Sequence, residues 1–249
     1  MAHEPYIREI AGSDTVILFV HGIMGTPRHF CDFLPLVPAS WSVYNILLDG
    51  HGKTVQDFSH TSMEKWKTQV SGLMDHLAQR YDRILIAAHS MGTLFAISEA
   101  IEHGGKVRGL FLLAVPLKVA VKPSAVINSM KAAFDCVPED DAVAVAARDA
   151  YSIAPSRKAW SYVRWIPHYL ELLQEIKKTR ERISLASVPC CAFQSEKDEL
   201  VSKGSIKYLR RNERIEISAL RKSGHFYYDP EDYAYLLECF QLFVGQYMV

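Results

Sequence analysis

The chain has 249 residues, a length that suits one domain with a substantial core. Lys plus Arg and Asp plus Glu each number 28, and this balance, without blocks of like charge, argues against nucleic acid or an anionic membrane as a partner. No run of about 18 apolar residues occurs, so we expect no stable membrane anchor.

Short apolar runs rich in β-branched residues alternate with amphipathic segments along most of the chain. These runs are typical of strands covered on both faces. They lie at Thr15–Val20, Val43–Leu47, Arg83–Ala88, Val107–Ala114, Pro189–Gln194 and Arg214–Ser218. A helix from Thr61 to Tyr81 is predicted to open with a capping box of Thr61 and Glu64, and a last helix to begin after Asp229. The alternation predicts an α/β fold with a doubly wound, mainly parallel sheet.

The stretch from Pro116 to Ser187 breaks this alternation, because it contains no convincing strand. Its helical patterns cover Ser124–Phe134, Asp140–Tyr151 and His168–Arg182. We therefore predict a helical cap over residues 116–187, inserted into a core formed by residues 1–115 and 188–249. Two interpretations of its aromatic residues stay open, an acyl pocket or a small core of their own. These residues are Trp160, Tyr162, Trp165 and Tyr169.

A candidate nucleophile follows the third predicted strand of the chain. Ser90 lies where the strand Arg83–Ala88 turns into a helical pattern. A serine on such a turn is exposed above the sheet edge, and small residues two before and two after it allow the tight turn. Ala88 and Gly92 occupy those positions, so the usual G-x-S-x-G pattern is altered only at Ala88. The alternative is a buried serine that caps the following helix.

A serine needs a base, and His225 follows the strand Arg214–Ser218 at an edge where catalytic groups gather in open α/β sheets. The acid is expected between Ser90 and His225 in the chain. Asp198, in the turn after the strand Pro189–Gln194, is the preferred candidate. Its neighbours Glu196 and Glu199 are expected to face solvent or to pair with Lys197 and Lys203.

Two backbone N–H groups are expected to form an oxyanion hole. One belongs to Met91, the residue after the nucleophile and the start of a helix. The second is assigned to Ile23, with Met24 as the near alternative, because glycines on either side of these residues let the backbone approach a ligand closely. The alternative for this segment is a plain tight turn.

Five short segments, taken in order, resemble the landmarks of the α/β-hydrolase superfamily. They are His21-Gly22, Asp49-Gly50-His51-Gly52, His89-Ser90-Met91-Gly92, Glu196-Lys197-Asp198-Glu199-Leu200-Val201 and Gly224-His225. Within that superfamily the chain is similar to carboxylesterases and monoglyceride-lipase-like enzymes with a short helical cap. The resemblance implies an eight-stranded, mainly parallel sheet, a substrate pocket between core and cap, no metal and no organic cofactor.

Together, these expectations predict a serine hydrolase that cleaves a small-molecule carboxylic ester with an apolar acyl group, through an acyl-enzyme on Ser90. A peptidase, a thioesterase or a C–C hydrolase would use the same residues, because one fold hosts many reactions. A ligand receptor without turnover is a further alternative, against which the complete set of Ser, Asp and His argues. The histidines lack metal-ligand spacing. The five cysteines and the amino terminus, which has no apolar core, favour the cytoplasm.

Overall fold

The computed structural model describes residues 3–134, 136–156 and 158–248. In these residues seven strands form one sheet, in the order β1-β3-β2-β4-β5-β6-β7. The strands are β1 (Tyr6–Arg8), β2 (Thr15–Val20), β3 (Ser42–Asn45), β4 (Arg83–His89), β5 (Val107–Leu113), β6 (Cys190–Ser195) and β7 (Ile215–Leu220). Only the β1–β3 pair is antiparallel among the paired strands described. The predicted doubly wound, mainly parallel sheet is confirmed.

The strand count differs from the eight that the resemblance implies. Before β2 the described chain contributes a single strand, β1, which is three residues long and pairs with β3 at the edge of the sheet. Because β1 is short and two of its three residues are exposed, it leaves no apolar run in the sequence. The described residues therefore form a sheet of seven strands, one fewer than the resemblance to the superfamily implies.

Helices cover both faces of the sheet. They are α1 (Val55–Ser59), α2 (Met63–Arg80), α3 (Met91–Glu102), α4 (Pro123–Ala133), α5 (Ala142–Ala150), α6 (Ile166–Arg182), α7 (Ile206–Leu209) and α8 (Pro230–Gly245). Alternate residues of β2 enter different cores: Val16 and Leu18 share one with Trp66, whereas Ile17 and Phe19 share the other with aromatic residues of α8. This two-sided burial explains why the strand is apolar at nearly every position.

The start of α2 corrects one detail of the prediction. The capping residue is Ser62, whose side chain accepts a hydrogen bond from the Lys65 backbone N–H at 3.2 Å. Thr61, the predicted cap, is 6% exposed and precedes the helix. A capping box does occur nearby, at the short helix α1, where Thr54 and Asp57 exchange hydrogen bonds. That helix is too short to show a periodic apolar pattern in the sequence.

The predicted cap segment contains α4, α5 and α6. In its described residues strand pairing is limited to isolated bridges, which join Val119 to Val201 and Ala154 to Thr54. Helices α4 and α5 pack on each other, while α6 packs against α2 and α3 of the core. The second part of the segment thus packs on helices of the core. The boundaries 116–187 remain a prediction.

The cap aromatics divide into two environments. Trp165 is 7% exposed, its Nε1–H donates to the Val55 carbonyl at 3.3 Å, and its ring centroid lies 4.7 Å from that of Phe58 and 4.8 Å from that of Tyr162. Trp160, in contrast, is 72% exposed. Trp165 and Tyr162 therefore fit the interpretation as a small core, which fastens the cap to α1.

Candidate active site

Ser90 lies on a sharp turn between β4 and α3, in a conformation that few residues adopt. Its φ is 52° and its ψ is −124°, a region that is strained for a residue with a side chain. The Ser90 backbone N–H donates to the Leu113 carbonyl at 2.9 Å. A Cβ at Gly92 would lie 2.3 Å from the Val20 carbonyl oxygen, so only glycine permits this approach. The Ser90 side chain does not cap α3, which argues against the helix-cap alternative.

Asp198 and His225 form a buried pair next to this turn. Asp198 Oδ2 lies 2.9 Å from His225 Nδ1, and the two residues are 4% and 2% exposed. The other carboxylate oxygen, Oδ1, accepts the backbone N–H groups of Leu200 at 2.8 Å and Val201 at 2.7 Å. The carboxylate is therefore held at both oxygens, with one of them directed at the imidazole.

The electrostatics of the pair suit a general base. Burial lowers the pKa of His225, but the Asp198 carboxylate outweighs burial and raises the pKa above its ordinary value of 6.5. Burial raises the pKa of Asp198, yet His225 and the two backbone donors lower it overall. A proton on Nδ1 that is shared with Asp198 leaves Nε2 as a hydrogen-bond acceptor. Nε2 makes no hydrogen bond to any residue in the described ranges.

His89 brings the serine turn and the histidine loop into contact. Its Nε2 lies 3.1 Å from the His225 carbonyl oxygen, and the two ring centroids are 4.8 Å apart. No hydrogen bond joins Ser90 Oγ to the His225 ring in the part of the chain that the structure describes. Such bonds are often long in a site without substrate and tighten on binding.

The loop after β2 lies directly against the candidate nucleophile. A Cβ at Gly22 would be 2.8 Å from the Ser90 Cβ, and the loop closes through a 3.0 Å bond from Gly25 N to Gly22 O. No described residue accepts a hydrogen bond from the N–H of Ile23 or of Met91, the first residue of α3. Unpaired N–H groups beside a serine are what an oxyanion hole requires. The roles of Ile23 and Met91 stay a prediction.

The cap reaches this loop through Met24. The Met24 carbonyl accepts the backbone N–H of Ser152 at 2.9 Å, and its Sδ atom accepts the Tyr169 hydroxyl at 3.3 Å. Met24 also has a positive φ of 58°, unusual for a residue with a side chain. These contacts show that the segment is more than a plain tight turn, because its backbone is strained and is fixed by the cap.

The acidic residues around Asp198 behave differently from each other. Glu196 is exposed and pairs with Lys203 at 3.4 Å, as predicted. The prediction that Glu199 faces solvent or pairs with a lysine is wrong: it is 7% exposed, and its Oε2 accepts the backbone N–H of His225 at 3.0 Å. Sequence reasoning missed it, since the direction of a side chain in a turn depends on the turn's geometry.

The contact with Asp198 distinguishes His225 from the other buried histidines of this region. Burial lowers the pKa of His21 to about 4 and that of His29 to about 3, and it moves the pKa values of His51 and His89 well below 6.5. These four rings are neutral near pH 7 and suit structural roles. Among the described residues, no group of three or more potential ligand side chains could hold a metal ion. No described helix is long and apolar enough to cross a membrane.

A cavity of about 340 Å³ opens between the cap and the core beside the His225 loop. Its core wall includes Thr26 from the loop after β2 together with Phe226 and Tyr228, and its cap wall includes Ala150 of α5. The volume falls within the range of small-molecule sites. The cavity therefore lies next to the candidate base, on the side of Phe226.

Comparison with known proteins agrees with this fold. A thermostable monoacylglycerol lipase of Bacillus sp. (strain H-257) is 25% identical over 230 residues, which cover 89% of this chain and 86% of the relative. A structure from work on LipS and LipT, two metagenome-derived lipolytic enzymes, superposes with a TM-score of 0.71 at 19% identity over 98% of each chain. The Paleococcus ferrophilus monoacylglycerol lipase gives 0.68 at 15% identity, over 97% of this chain and 99% of that one. The family model of the serine aminopeptidases, S33, matches residues 11–222, and the chain belongs to this family of α/β hydrolases.

Proposed function

We propose that the protein hydrolyses carboxylic esters through an acyl-enzyme on Ser90. In this proposal His225 is the general base, Asp198 orients it, and the N–H groups of Ile23 and Met91 form the oxyanion hole. The buried 2.9 Å contact between Asp198 and His225, beside a strained serine, is the observation that supports it most. No metal or organic cofactor takes part in the proposal.

The reaction follows from these positions. As Ser90 Oγ attacks the ester carbonyl, its proton passes to His225 Nε2, and the negative charge on the carbonyl oxygen is met by the two N–H groups. Collapse of the tetrahedral intermediate breaks the bond to the alcohol, which takes the proton from Nε2. Water then repeats the sequence on the acyl-enzyme, releasing the acid and restoring Ser90. Asp198 stabilises the imidazolium in both halves of the reaction.

An ester is the preferred substrate for two reasons. A relative that aligns with most of the chain is named a monoacylglycerol lipase. The cavity offers an acyl chain the side chains of Phe226, Tyr228 and Ala150, although Arg28, His29 and Asp149 also line it. The family description names aminopeptidases, so a peptidase is the second candidate. Thioesters and C–C bonds complete the alternatives, since the same residues serve all these reactions.

We further propose that the protein works in the cytoplasm on a small ester with an apolar acyl group. All five cysteines are free thiols, which suits a reducing compartment. Cys31 and Cys136 are exposed, whereas Cys190 is buried. Exposed thiols would be prone to oxidation in a secretory environment.

The test combines active-site labelling with a substrate panel. The wild-type protein should react stoichiometrically with a fluorophosphonate probe and should hydrolyse p-nitrophenyl esters of graded chain length faster than aminoacyl anilides or thioesters. Ser90→Ala should lose both labelling and turnover, by on the order of 10⁴-fold or more, with an unchanged melting temperature. Labelling without ester turnover, combined with anilide cleavage, would support the peptidase. Full ester turnover by Ser90→Ala would refute the assignment.

A further inference from the structure

The main chain of His225 is held from two opposite directions, in addition to the bond that Asp198 makes to its ring. Its N–H donates to the Glu199 carboxylate at 3.0 Å, and its carbonyl oxygen lies 3.1 Å from His89 Nε2. Both partners are side chains from other segments, one in the turn after β6 and the other at the end of β4. We call this arrangement the His225 clamp, formed by Glu199 and His89.

Contacts of both its side chain and its main chain hold Glu199 in this position. A largely buried carboxylate is costly unless it is hydrogen-bonded, and this one accepts the His225 N–H. The approach requires glycine at position 224, because a Cβ at Gly224 would lie 2.8 Å from Glu199 Oε2. The Glu199 carbonyl accepts the backbone N–H of Lys122 at 2.8 Å, so the segment entering the cap fixes its main chain. The close approach of the Glu199 carboxylate therefore explains why a glycine, Gly224, precedes His225.

His89 supplies the opposite contact. It is 1% exposed, and burial moves its pKa well below 6.5, so the ring is neutral and carries one N–H. A carbonyl oxygen facing Nε2 requires that proton to be on Nε2. His29 stacks on the ring with centroids 4.0 Å apart, which fixes its plane. Because His89 immediately precedes Ser90, its contact ties the base to the turn that carries the nucleophile.

We infer that Glu199 and His89 are positioning residues for His225, and that the Glu199 carboxylate also favours the charged form of its imidazole. The inference rests on the proposed function of His225 as a base. Proton transfer from a serine needs Nε2 to be placed within a fraction of an ångström, and Asp198 holds the ring of His225 but not its main chain. The charged and titratable groups that face His225 are Asp198, Glu199, His89 and His29.

Two substitutions at Glu199 separate its hydrogen bond from its charge. Glu199→Gln keeps an oxygen that accepts a hydrogen bond from the His225 N–H but removes the charge. At pH values above the acidic limb of the pH profile, its kcat should therefore stay within about threefold of wild type. Glu199→Leu leaves the N–H without a partner and should lower kcat about 10- to 100-fold with KM within about twofold. Glu196→Gln and Glu196→Leu are matched controls, because Glu196 lies in the same turn but is exposed, and both should behave as wild type.

His89 is tested in the same way. His89→Gln retains a side-chain N–H donor and should keep more of kcat than His89→Leu, which has none. Wild-type kcat in Glu199→Leu and His89→Leu would overturn the clamp. So would equal losses of kcat and melting temperature in the Gln and Leu variants, because those would mark a purely structural role.

The closing experiment follows the His225 ring by NMR in protein labelled with ¹⁵N-histidine, over a pH series. Glu199→Gln should lower the pKa of His225 relative to wild type, while Glu196→Gln should leave it unchanged. An unchanged pKa in Glu199→Gln would refute the charge effect. This measurement does not depend on turnover, so the charge effect of Glu199 is tested even if the wild-type protein neither labels nor hydrolyses esters, which would refute the proposed function alone.

Discussion

Replacing Asp198 by Asn tests the proposed triad most directly, because the structure fixes the orientation of the new amide. Asp198 Oδ1 accepts two backbone N–H groups, from Leu200 and Val201, whereas Oδ2 faces His225 Nδ1. The oxygen of Asn must therefore occupy the Oδ1 position, since its NH₂ group there would meet two donors. The NH₂ group then donates to Nδ1, the imidazole proton moves to Nε2, and Nε2 no longer accepts the serine proton.

The wrong tautomer should lower kcat by about 10³ to 10⁴, or about 4 to 5.5 kcal/mol of transition-state stabilisation. The pH profile adds a second readout. If His225 is the base, its raised pKa should place the acidic limb of the wild-type kcat/KM profile above that of an ordinary histidine. Loss of the Asp198 charge disfavours imidazolium, so the limb of the variant should move to lower pH.

The assay is steady-state hydrolysis of a p-nitrophenyl ester between pH 5 and 9, with the melting temperature measured alongside. Glu196→Gln is the control, because an exposed ion pair with Lys203 contributes little, and its rate should stay within about twofold. The reasoning fails if Asp198→Asn keeps a rate within tenfold of wild type, or if its acidic limb moves upwards.

Two further substitutions test how the cap and the serine turn are held. Trp165→Ala should lower the free energy of unfolding by about 3–5 kcal/mol in urea denaturation, because the ring is buried against Phe58. The control Trp160→Ala should change the free energy of unfolding by less than about 0.5 kcal/mol, because Trp160 is exposed. Equal losses in the two variants would contradict this packing. Gly92→Ala should destabilise the fold by at least about 1–3 kcal/mol and slow fluorophosphonate labelling, because the new Cβ would overlap the Val20 carbonyl. Wild-type stability and labelling in that variant would show that the turn adapts.

Most of the strands that could be predicted are buried on both faces, whereas β7 is buried only at its two ends. All six apolar runs correspond to strands β2 to β7, with ends that differ by at most two residues. Burial on both faces leaves a continuous apolar signal, which is hard to miss. Elements without that signal were missed, namely the edge strand β1 and the one-turn helix α1, which are held by a neighbouring strand and by a capping box.

The candidate site was predictable to the extent that its residues follow strands. Ser90, Asp198 and His225 each come shortly after one, and chain order restricted the choice of acid. The inward direction of Glu199 and the contact of His89 with the His225 carbonyl could not be predicted, because both depend on how loops fold back over the sheet. The sequence offered one indication, the glycine before His225, without showing what approaches it.

The sheet order explains why His225, the proposed base, needs such support. His225 follows β7, whereas Ser90 follows β4, and these strands are three positions apart, about 14 Å at the usual strand spacing. The loop after β7 must therefore run back across the sheet edge. It does so over the end of β6, where Lys197 N donates to the Ser223 carbonyl at 3.2 Å. Glu199 holds the loop as it leaves β6, and His89 holds it where it reaches β4. Backbone bonds hold the neighbouring Ser223 and Gly224, whereas the described bonds to the N–H and the carbonyl of His225 come from these two side chains, which therefore help to fix the imidazole at the serine turn.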